Sequence, residues 1–388
     1  MRFRVSRASL VLGVLPTVYA LGQASCVAFQ SSASVFSVAS NGKAAPILTS
    51  ADDWPGVHRA VQDFAADIQR VTGVKATVAN VTASNASRSS LPIIIGTLGR
   101  SSLIDQIVND TKLDVSGVQG KWEAFMTRVV ENPLKGVAKA YVVIGADKRG
   151  TIFALYEHSE QFGVSPWYWW ADAPIAKHSS LFVSNGGCAH GSPTVKYRGI
   201  FLNDEQPALS NWVAAKFTVD EQGGALTDSP FNHLFYTKLF ELLLRLKANH
   251  LWPTQWSSAF GIDDPLNQFM ADYYGIVMGT SHQEPMMSTN AANVNAYWVN
   301  GTIRAKPFEN VWTLGMRGNG DLPIVGDGIV LLQDITANQT AIFKQVFGDD
   351  VDVAEIPQVW ALYKEVEGYY QQGLRVDDVV DGCFTMPE

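Results

Sequence analysis

The stretch Tyr274–Glu284, YGIVMGTSHQE, decides the fold of the second half of the chain: an apolar strand ends in polar and charged residues. Four other stretches repeat this pattern, with helical sequence between them: TVKYRGIFLND (Thr194–Asp204), ANHLWPTQW (Ala248–Trp256), ENVWTLGMRGNGD (Glu309–Asp321) and IPQVWALYKEVE (Ile356–Glu367). Alternating strands and helices predict a parallel sheet. We therefore predict a (β/α)₈ TIM-barrel domain over residues 194–388. It is incomplete in this chain, because five strands and a weak sixth, RVDDVVDG, fall short of eight.

The first half of the chain predicts a separate α/β domain over residues 36–186. The segment Ala51–Gly73 has apolar residues at helical spacing and ends in a glycine. Leu91–Thr97 and Ala140–Asp147 are continuous apolar runs, which suit strands buried on both faces. Gly150–Gly163 reads as the next helix. Ile144–Asp147 lacks the extra glycines and the lysine of a phosphate loop.

The N-terminus has the pattern of a secretory signal peptide over residues 1–24. Basic residues, Arg2, Arg4 and Arg7, precede an apolar run over 10–21, and small residues follow it. The run is short and Pro16 interrupts it, so a membrane-spanning helix is disfavoured. We expect a secreted, extracellular protein that has no membrane contact after signal cleavage.

The composition of the chain limits the classes of molecule that it can bind and the modifications that it can carry. Of the 388 residues, 47% are hydrophobic and 17% are charged, which predicts a folded chain with a sizeable core. The net charge of −8 disfavours nucleic-acid binding. Cys26, Cys188 and Cys383 show no metal-site spacing; one disulfide could form, and its pairing stays open. The five N-x-S/T sequons predict glycosylation of surface loops, at Asn80, Asn85, Asn109, Asn300 and Asn338.

The predicted strand ends carry enough carboxyl groups for glycoside hydrolysis, which commonly needs two. These acids are Asp204, Glu205, Glu284, Asp321, Glu365 and Glu367. In a barrel they would meet at one face, because parallel strands end on the same side. Any one of them could equally be a solvated loop residue, but five charged strand ends together favour a shared site.

Several other side chains each allow more than one role. Arg317 and Lys364 either form ion pairs or recognise an anionic substrate. His282 could transfer protons, bind sugar hydroxyls or serve the fold, and its spacing from Glu284 does not match a metal motif. The tryptophans of SPWYWW (Ser165–Trp170) either pack two domains together or form a sugar platform, and Trp167 is the choice for a platform.

Several long motifs resemble glycoside hydrolase family 115, a family of xylan α-1,2-glucuronidases. They run in the family's order from about Phe36 to Val376: GVSPWYWWAD, YRGIFLNDEQPALSNW, FNHLFYTKLFELLLRLKANHLWPTQWSSAF, YGIVMGTSHQEPMM, ENVWTLGMRGNGD and PQVWALYKEVEGYY. The resemblance implies an inverting hydrolase that removes glucuronic acid, or its 4-O-methyl form, from glucuronoxylan or its oligosaccharides. It implies no metal and no organic cofactor. It is compatible with a homodimer of the full-length enzyme.

The resemblance also implies roles for individual residues. Glu365 would be the general acid, and Asp204 or Asp321 would activate water. Arg317 would hold the uronate carboxylate, and His282 would bind sugar hydroxyls. The remaining positions that it points to as substrate-binding are Trp167 and Lys364.

The chain departs from the family pattern in two places. The loop between Met287 and Trp298 is shorter than in the family, and the family continues beyond Val376 into further strands and domains. We therefore expect a chain truncated at its C-terminus. The alternatives to a glucuronidase are a non-catalytic or vestigial carbohydrate-binding protein and another glycosidase with the same layout, such as a hexosaminidase.

Overall fold

Helices and strands alternate along both halves of the chain. The structure is a computed structural model and describes residues 25–82, 91–204, 208–218, 229–254, 258–287, 294–318, 322–376 and 383–385. The first region contains β1 (Val27–Ala28), β2 (Val35–Ser40), β3 (Lys43–Ala44), β4 (Ile47–Thr49), α1 (Pro55–Thr72), β5 (Val78–Asn80), β6 (Ile93–Thr97), α2 (Ser102–Thr111), β7 (Phe125–Leu134), β8 (Val137–Gly145), α3 (Lys148–Phe162), β9 (Leu181–Ser184) and β10 (Ala189–His190).

These strands form two sheets. An antiparallel sheet has the order β1-β9-β2-β3, and a mixed sheet has the order β10-β7-β8-β6-β4-β5. The pairings of β1 with β9 and of β10 with β7 extend the region beyond the predicted bounds 36–186 at both ends. Within it, β5, β4, β6 and β8 run parallel to one another.

The local predictions in this region are confirmed. Helix α1 buries its apolar stripe and ends at Gly73, whose φ of 77° is the left-handed conformation that glycine adopts most readily. All five residues of β6 are buried, as expected for a strand covered on both faces. Helices cover both faces of the mixed sheet, since the apolar residues of α1 and α3 belong to one core cluster and those of α2 to another.

The second region repeats the strand–helix unit. It contains β11 (Gly199–Phe201), α4 (Ala208–Phe217), α5 (His233–Arg245), β12 (His250–Trp252), α6 (Phe260–Asp263), α7 (Leu266–Tyr274), β13 (Val277–Met278), α8 (Val294–Ala305), β14 (Trp312–Leu314), α9 (Gly328–Phe347), β15 (Gln358–Leu362), α10 (Glu365–Gln371) and β16 (Cys383–Thr385). Strands β11, β12 and β13 pair in parallel, as do β14, β15 and β16, and a parallel bridge between Met278 and Asn310 links the two sets. The sixth strand lies at 383–385, after the predicted RVDDVVDG, of which residues 377–382 lie outside the described part.

The parallel strands curve around a shared interior. Trp252, Val277, Val311, Val359 and Ala361, from or next to four successive strands, β12 to β15, form one buried cluster. A cavity of about 180 Å³ is lined both by β11 and β12 and by Ala361 of β15. This curvature is what the start of a (β/α)₈ barrel requires. Closure with eight strands stays a prediction.

The two regions share an extensive interface. Trp169 and Trp170 of the first region pack edge-to-face or stacked on Trp212 of α4, with ring centroids 6.4 and 5.6 Å apart. The packing role considered for the SPWYWW tryptophans is therefore confirmed for these two rings. Beside them, buried Arg245 of α5 donates to buried Asp67 of α1 at 2.9 Å.

The sulfurs of Cys26 and Cys188 form a disulfide, with the Cα atoms 5.6 Å apart. Three sequons lie in helices rather than in the expected surface loops, since Asn109, Asn300 and Asn338 belong to α2, α8 and α9. Within the described residues, no helix combines the length and the apolarity that a membrane crossing needs.

Candidate active site

A buried ion pair joins two of the parallel strand ends. Arg317, just after β14, donates from Nε and Nη2 to the two carboxylate oxygens of Glu365, at 3.0 and 2.7 Å. The side chain of Arg317 is 2% exposed and that of Glu365 is 17% exposed. Two parallel N–H···O bonds are the geometry by which guanidinium recognises a carboxylate. The pair thus shows that Arg317 is shaped and placed to bind a carboxylate.

The same pair determines the charge of Glu365. Burial pushes the pKa of Glu365 upward, but the hydrogen bonds from Arg317 and the positive charges of Arg317 and Lys364 bring that pKa below its usual value. Glu365 is therefore a carboxylate near neutral pH while Arg317 holds it. A general acid must carry a proton, so this pairing has to change before Glu365 can protonate a leaving group.

Tyr363 organises the cations and the histidine of the site. The guanidinium carbon of Arg317 lies 5.1 Å from the centroid of its ring, and Nζ of Lys364 lies 4.9 Å from it. The ring of His282 stacks on Tyr363 with centroids 5.4 Å apart and planes inclined by 15°. The structure therefore brings Arg317, Lys364, Glu365 and His282 together around one aromatic ring.

His282 is neutral in this surrounding. Burial, together with the charges of Arg317 and Lys364, lowers its pKa to about 4, although Glu365 acts in the opposite direction. Its backbone carbonyl accepts a hydrogen bond from the N–H of Arg317 at 3.3 Å. A neutral imidazole suits the predicted role of hydrogen bonding to sugar hydroxyls.

Glu284 is a second acid at the end of β13, and it is buried. Burial raises its pKa, and a hydrogen bond from the Ser281 hydroxyl, 2.5 Å away, offsets part of that rise. A carboxyl group with a raised pKa is the kind of group that serves as a general acid. Sequence analysis placed Glu284 among the available acids but did not assign it a role.

Lys364 has a strained backbone, with φ of 52° and ψ of −123°. Non-glycine residues rarely adopt this conformation, and such strain concentrates at functional sites. It lies at the sharp turn between β15 and α10, directly between Tyr363 and Glu365.

Asp204 lies three residues after β11 and is buried. Its Oδ1 accepts from the N–H of Ser210 at 2.9 Å, and its Oδ2 has no hydrogen-bond partner among the described residues. The hydroxyls of Thr254 and Thr280, which follow β12 and β13, are also buried without such a partner in the described chain. Buried unpaired polar atoms are unfavourable unless a ligand or water satisfies them. The ends of three adjacent strands thus present groups that suit a polar ligand.

The remaining predicted residues are not part of the cluster among the described residues. Trp167 is 45% exposed, and no contact in the described part of the chain joins it to the Arg317–Glu365 pair. Asp321, predicted as a water-activating group, lies outside the described residues, as do Glu205 and Trp256.

Sequence reasoning missed two residues that shape the site. Tyr363 was read only as part of an apolar strand, although its place beside Lys364 and Glu365 was a usable signal. Gln339 of α9 gave no signal: it binds both the N–H and the carbonyl of Gly315, at 2.9 and 3.1 Å, and so fixes the backbone leading to Arg317.

One group in the described chain brings three residues of metal-ligating type within 4.8 Å of one another: Cys26, His158 and Cys188. The two sulfurs are bonded to each other, so they are not free thiolates. This group belongs to the first region and is separate from the strand ends.

Comparison with known proteins decides the family. The model of Glycosyl hydrolase family 115 matches residues 190–385, half of the chain, and extends past Val376, where we expected the resemblance to end. The chain belongs to glycosyl hydrolase family 115. The matched range contains Asp204, His282, Arg317 and Glu365, so these strand-end residues lie within the part of the chain that matches family 115.

A solved structure of a family 115 enzyme agrees with this assignment. The chain is similar to a family 115 4-O-methyl-alpha-glucuronidase with specificity for decorated arabinogalactans: the identity is 30%, the TM-score is 0.72, and the match covers 89% of this chain and 45% of that one. The chain thus spans about half the length of that enzyme. Streptomyces plicatus N-acetyl-beta-hexosaminidase matches at 10% identity over 84% of this chain and 62% of its own, with a TM-score of 0.40. No curated protein matches the chain.

Proposed function

We propose that this family 115 chain belongs to a secreted glycoside hydrolase that removes glucuronic acid, or its 4-O-methyl ether, from glucuronoxylan. The observation that carries the proposal is the buried, bidentate Arg317–Glu365 pair at the ends of two parallel strands. A uronate carboxylate has the same shape and charge as the Glu365 carboxylate, so it can take that position on Arg317.

This exchange provides a route to the general acid. When a substrate uronate binds Arg317, Glu365 loses the hydrogen bonds that hold its pKa down, while burial continues to push the pKa up. The uronate adds a negative charge nearby, which raises the pKa of Glu365 further. Glu365 then takes up a proton and donates it to the glycosidic oxygen, as the predicted role requires.

The second carboxyl group would activate water, which attacks the anomeric carbon from the opposite face and inverts its configuration. Asp204 is the candidate within the described residues because its buried Oδ2 has no partner there. Asp321 stays the predicted alternative. Glu284 is a second candidate for the acid, supported by its raised pKa.

Secretion is part of the proposal. Residues 1–24, the predicted signal peptide, lie outside the described part, but the Cys26–Cys188 disulfide supports an oxidising compartment. The proposed substrate is glucuronoxylan. The specificity of the similar solved enzyme for decorated arabinogalactans makes uronate-bearing arabinogalactan the second candidate.

The test is release of uronic acid by the full chain from glucuronoxylan and from uronate-bearing arabinogalactan. Arg317→Gln should lower kcat/KM by a factor of roughly 30–1000, the equivalent of about 2–4 kcal/mol of lost transition-state binding. Arg317→Lys is the matched control, because it keeps the charge and loses the fork; it should recover only part of the activity.

Three outcomes would count against the proposal. Full uronic-acid release by Arg317→Gln would show that Arg317 does not hold the uronate. Full activity of Glu365→Gln would transfer the acid role to Glu284. Binding without any release by the wild-type chain would support the non-catalytic alternative.

A further inference from the structure

An exposed tryptophan and an exposed arginine, Trp54 and Arg100, follow the carboxyl ends of β4 and β6 in the first region, and the proposed hydrolysis does not use them. Helix α1 leaves β4 on one face of the mixed sheet, and α2 leaves β6 on the other. Adjacent strands whose connections diverge in this way open a crevice at their carboxyl ends, and ligands of α/β sheets bind at such crevices.

The base of this crevice is rigid. Buried Asp53 accepts from the N–H of Trp54 at 2.7 Å through Oδ1 and from the N–H of Thr97 at 2.8 Å through Oδ2. The hydroxyls of Thr97 and Thr151 are 2.8 Å apart, which ties the end of β6 to α3. Asp53 thus fixes the backbone from which Trp54 projects.

Trp54 is exposed on this rigid base. The residue is 39% exposed, although Gly56, two positions on, is buried. A Cβ added at Gly56 would lie 2.1 Å from the carbonyl oxygen of Tyr273, so α1 packs directly against the end of α7. The backbone that carries the exposed ring is therefore held in a fixed position, which reduces the entropy lost when a ligand stacks on the ring.

A cation accompanies the ring. The guanidinium carbon of Arg100, from the turn after β6, lies 4.6 Å from the centroid of the Trp54 ring. Arg100 is exposed and forms no ion pair with another described residue. Lys148 lies farther from the ring, at 5.7 Å, and its charge is shared with Asp272 at 3.3 Å. The exposed carboxylate of Asp52 accepts from the N–H of Ser102 at 3.3 Å.

We propose that Trp54 and Arg100 form a second polysaccharide-binding site, which holds a uronate-bearing sugar away from the strand-end site. The indole stacks on the apolar face of a sugar ring, and the guanidinium binds the carboxylate. The identity of the sugar rests on the proposed function; the existence of the site rests on the Trp54–Arg100 geometry.

The two sites cannot overlap. Tyr273, which contacts Gly56, lies at the end of α7 and leads into the amino end of β13, whereas His282 follows the carboxyl end of that strand. Trp54 is therefore beside the opposite end of the parallel strands from Arg317. A long polymer could be held at Trp54 while another part of it, or another chain, occupies the strand ends.

The experiment is affinity electrophoresis of the full chain in gels containing glucuronoxylan or xylan stripped of uronic acid. All proteins carry Glu365→Gln to prevent hydrolysis. We expect the parent, the chain with Glu365→Gln alone, to be retarded more strongly by glucuronoxylan than by the stripped xylan. Trp54→Ala should weaken the apparent affinity about tenfold. Arg100→Gln should reduce the preference for the uronate-bearing polymer, and the preference that remains comes from Arg317 at the strand-end site.

The control is Phe29→Ala, since Phe29 is similarly exposed, at 41%, and is also stacked on a polar ring, that of His178. It should be retarded like the parent. Arg100→Gln keeps the proposal testable if Trp54→Ala fails to fold. Unchanged retardation of both variants, or no retardation of the parent, would overturn the proposal.

The outcomes separate this site from the hydrolysis. In the Glu365-intact chain, Trp54→Ala should keep its activity on a short uronate-bearing oligosaccharide. If the wild-type chain releases no uronic acid and Trp54→Ala still loses binding, the proposed function fails and the second site stands. If release occurs and Trp54→Ala binds normally, the second site fails alone.

Discussion

The two regions end their parallel strands in different ways. In the first region, the carboxyl of buried Asp53 has both oxygens hydrogen-bonded to backbone N–H groups, and the Thr97 hydroxyl is paired with Thr151. In the second region, Asp204 Oδ2 and the Thr254 hydroxyl are buried without a partner in the described chain. The first set stabilises the fold, whereas the second is available to a ligand. The hydrogen bonds of buried polar groups therefore distinguish strand ends that stabilise the fold from strand ends that can bind a ligand.

The largest expected effect is that of changing Asp204, whose buried Oδ2 has no partner in the described chain. Asp204→Asn should lower kcat by about 10³-fold if Asp204 is the group that activates water, because an amide cannot accept the proton. The unfolding free energy should change by no more than about 1 kcal/mol, since the hydrogen bond to Ser210 can persist. Kinetics and urea denaturation measure the two quantities. A loss of stability without loss of activity would make Asp204 a structural residue.

A change at Asp53, at the strand ends of the first region, should lower stability rather than activity. Asp53→Ala leaves the N–H groups of Trp54 and Thr97 without their acceptor and should lower the unfolding free energy by about 3 kcal/mol. The kcat of the molecules that remain folded should not change. Chemical denaturation checks the first expectation and active-site titration the second. A fall in kcat comparable to that of Asp204→Asn would show that the strand ends of the first region also take part in the reaction.

Acid should weaken the second region through His282. The pKa of His282 is about 4 when folded and 6.5 in its ordinary surroundings, so the unfolded chain binds a proton more readily. The stabilising contribution of the neutral ring is present above pH 6.5 and is lost as the pH falls towards 4. The full loss of unfolding free energy is roughly 3 kcal/mol. His282→Asn should therefore flatten the fall in stability over this range, measured by denaturation at several pH values. An unchanged slope would mean that other groups cause the fall.

The smallest expected effect uses matched substitutions of two buried threonines. Thr97→Val removes a paired hydroxyl and should cost about 1 kcal/mol of unfolding free energy. Thr254→Val removes a hydroxyl that has no partner in the described chain and should be neutral or slightly stabilising. Thermal unfolding of both variants provides the measurement. Equal losses would show that Thr254 has a partner in solution.

Sequence patterns predicted the units of the fold better than the state of the site. Apolar periodicity placed α1, β6 and α3 because burial of a stripe or a run follows directly from residue type. The strand ends carrying Asp204, His282, Arg317 and Glu365 were also foreseeable, since charge after an apolar run is visible in the letters. The pairing of Arg317 with Glu365 and the ring of Tyr363 beside Arg317 were not, because they depend on three-dimensional placement of residues from two strands. For the same reason, the pairing of Cys26 with Cys188 stayed open.

The position of the disulfide has a consequence for synthesis. Cys26 and Cys188 enclose the strands β1 to β9 and precede β11, so the crosslinked loop contains none of the parallel strands of the second region. The bond can form as soon as residue 188 has emerged, while the rest is still being translated. The first region can thus be crosslinked before α4 and α5 are made, and these helices then pack against Trp170 and Asp67 of a region that already contains its disulfide.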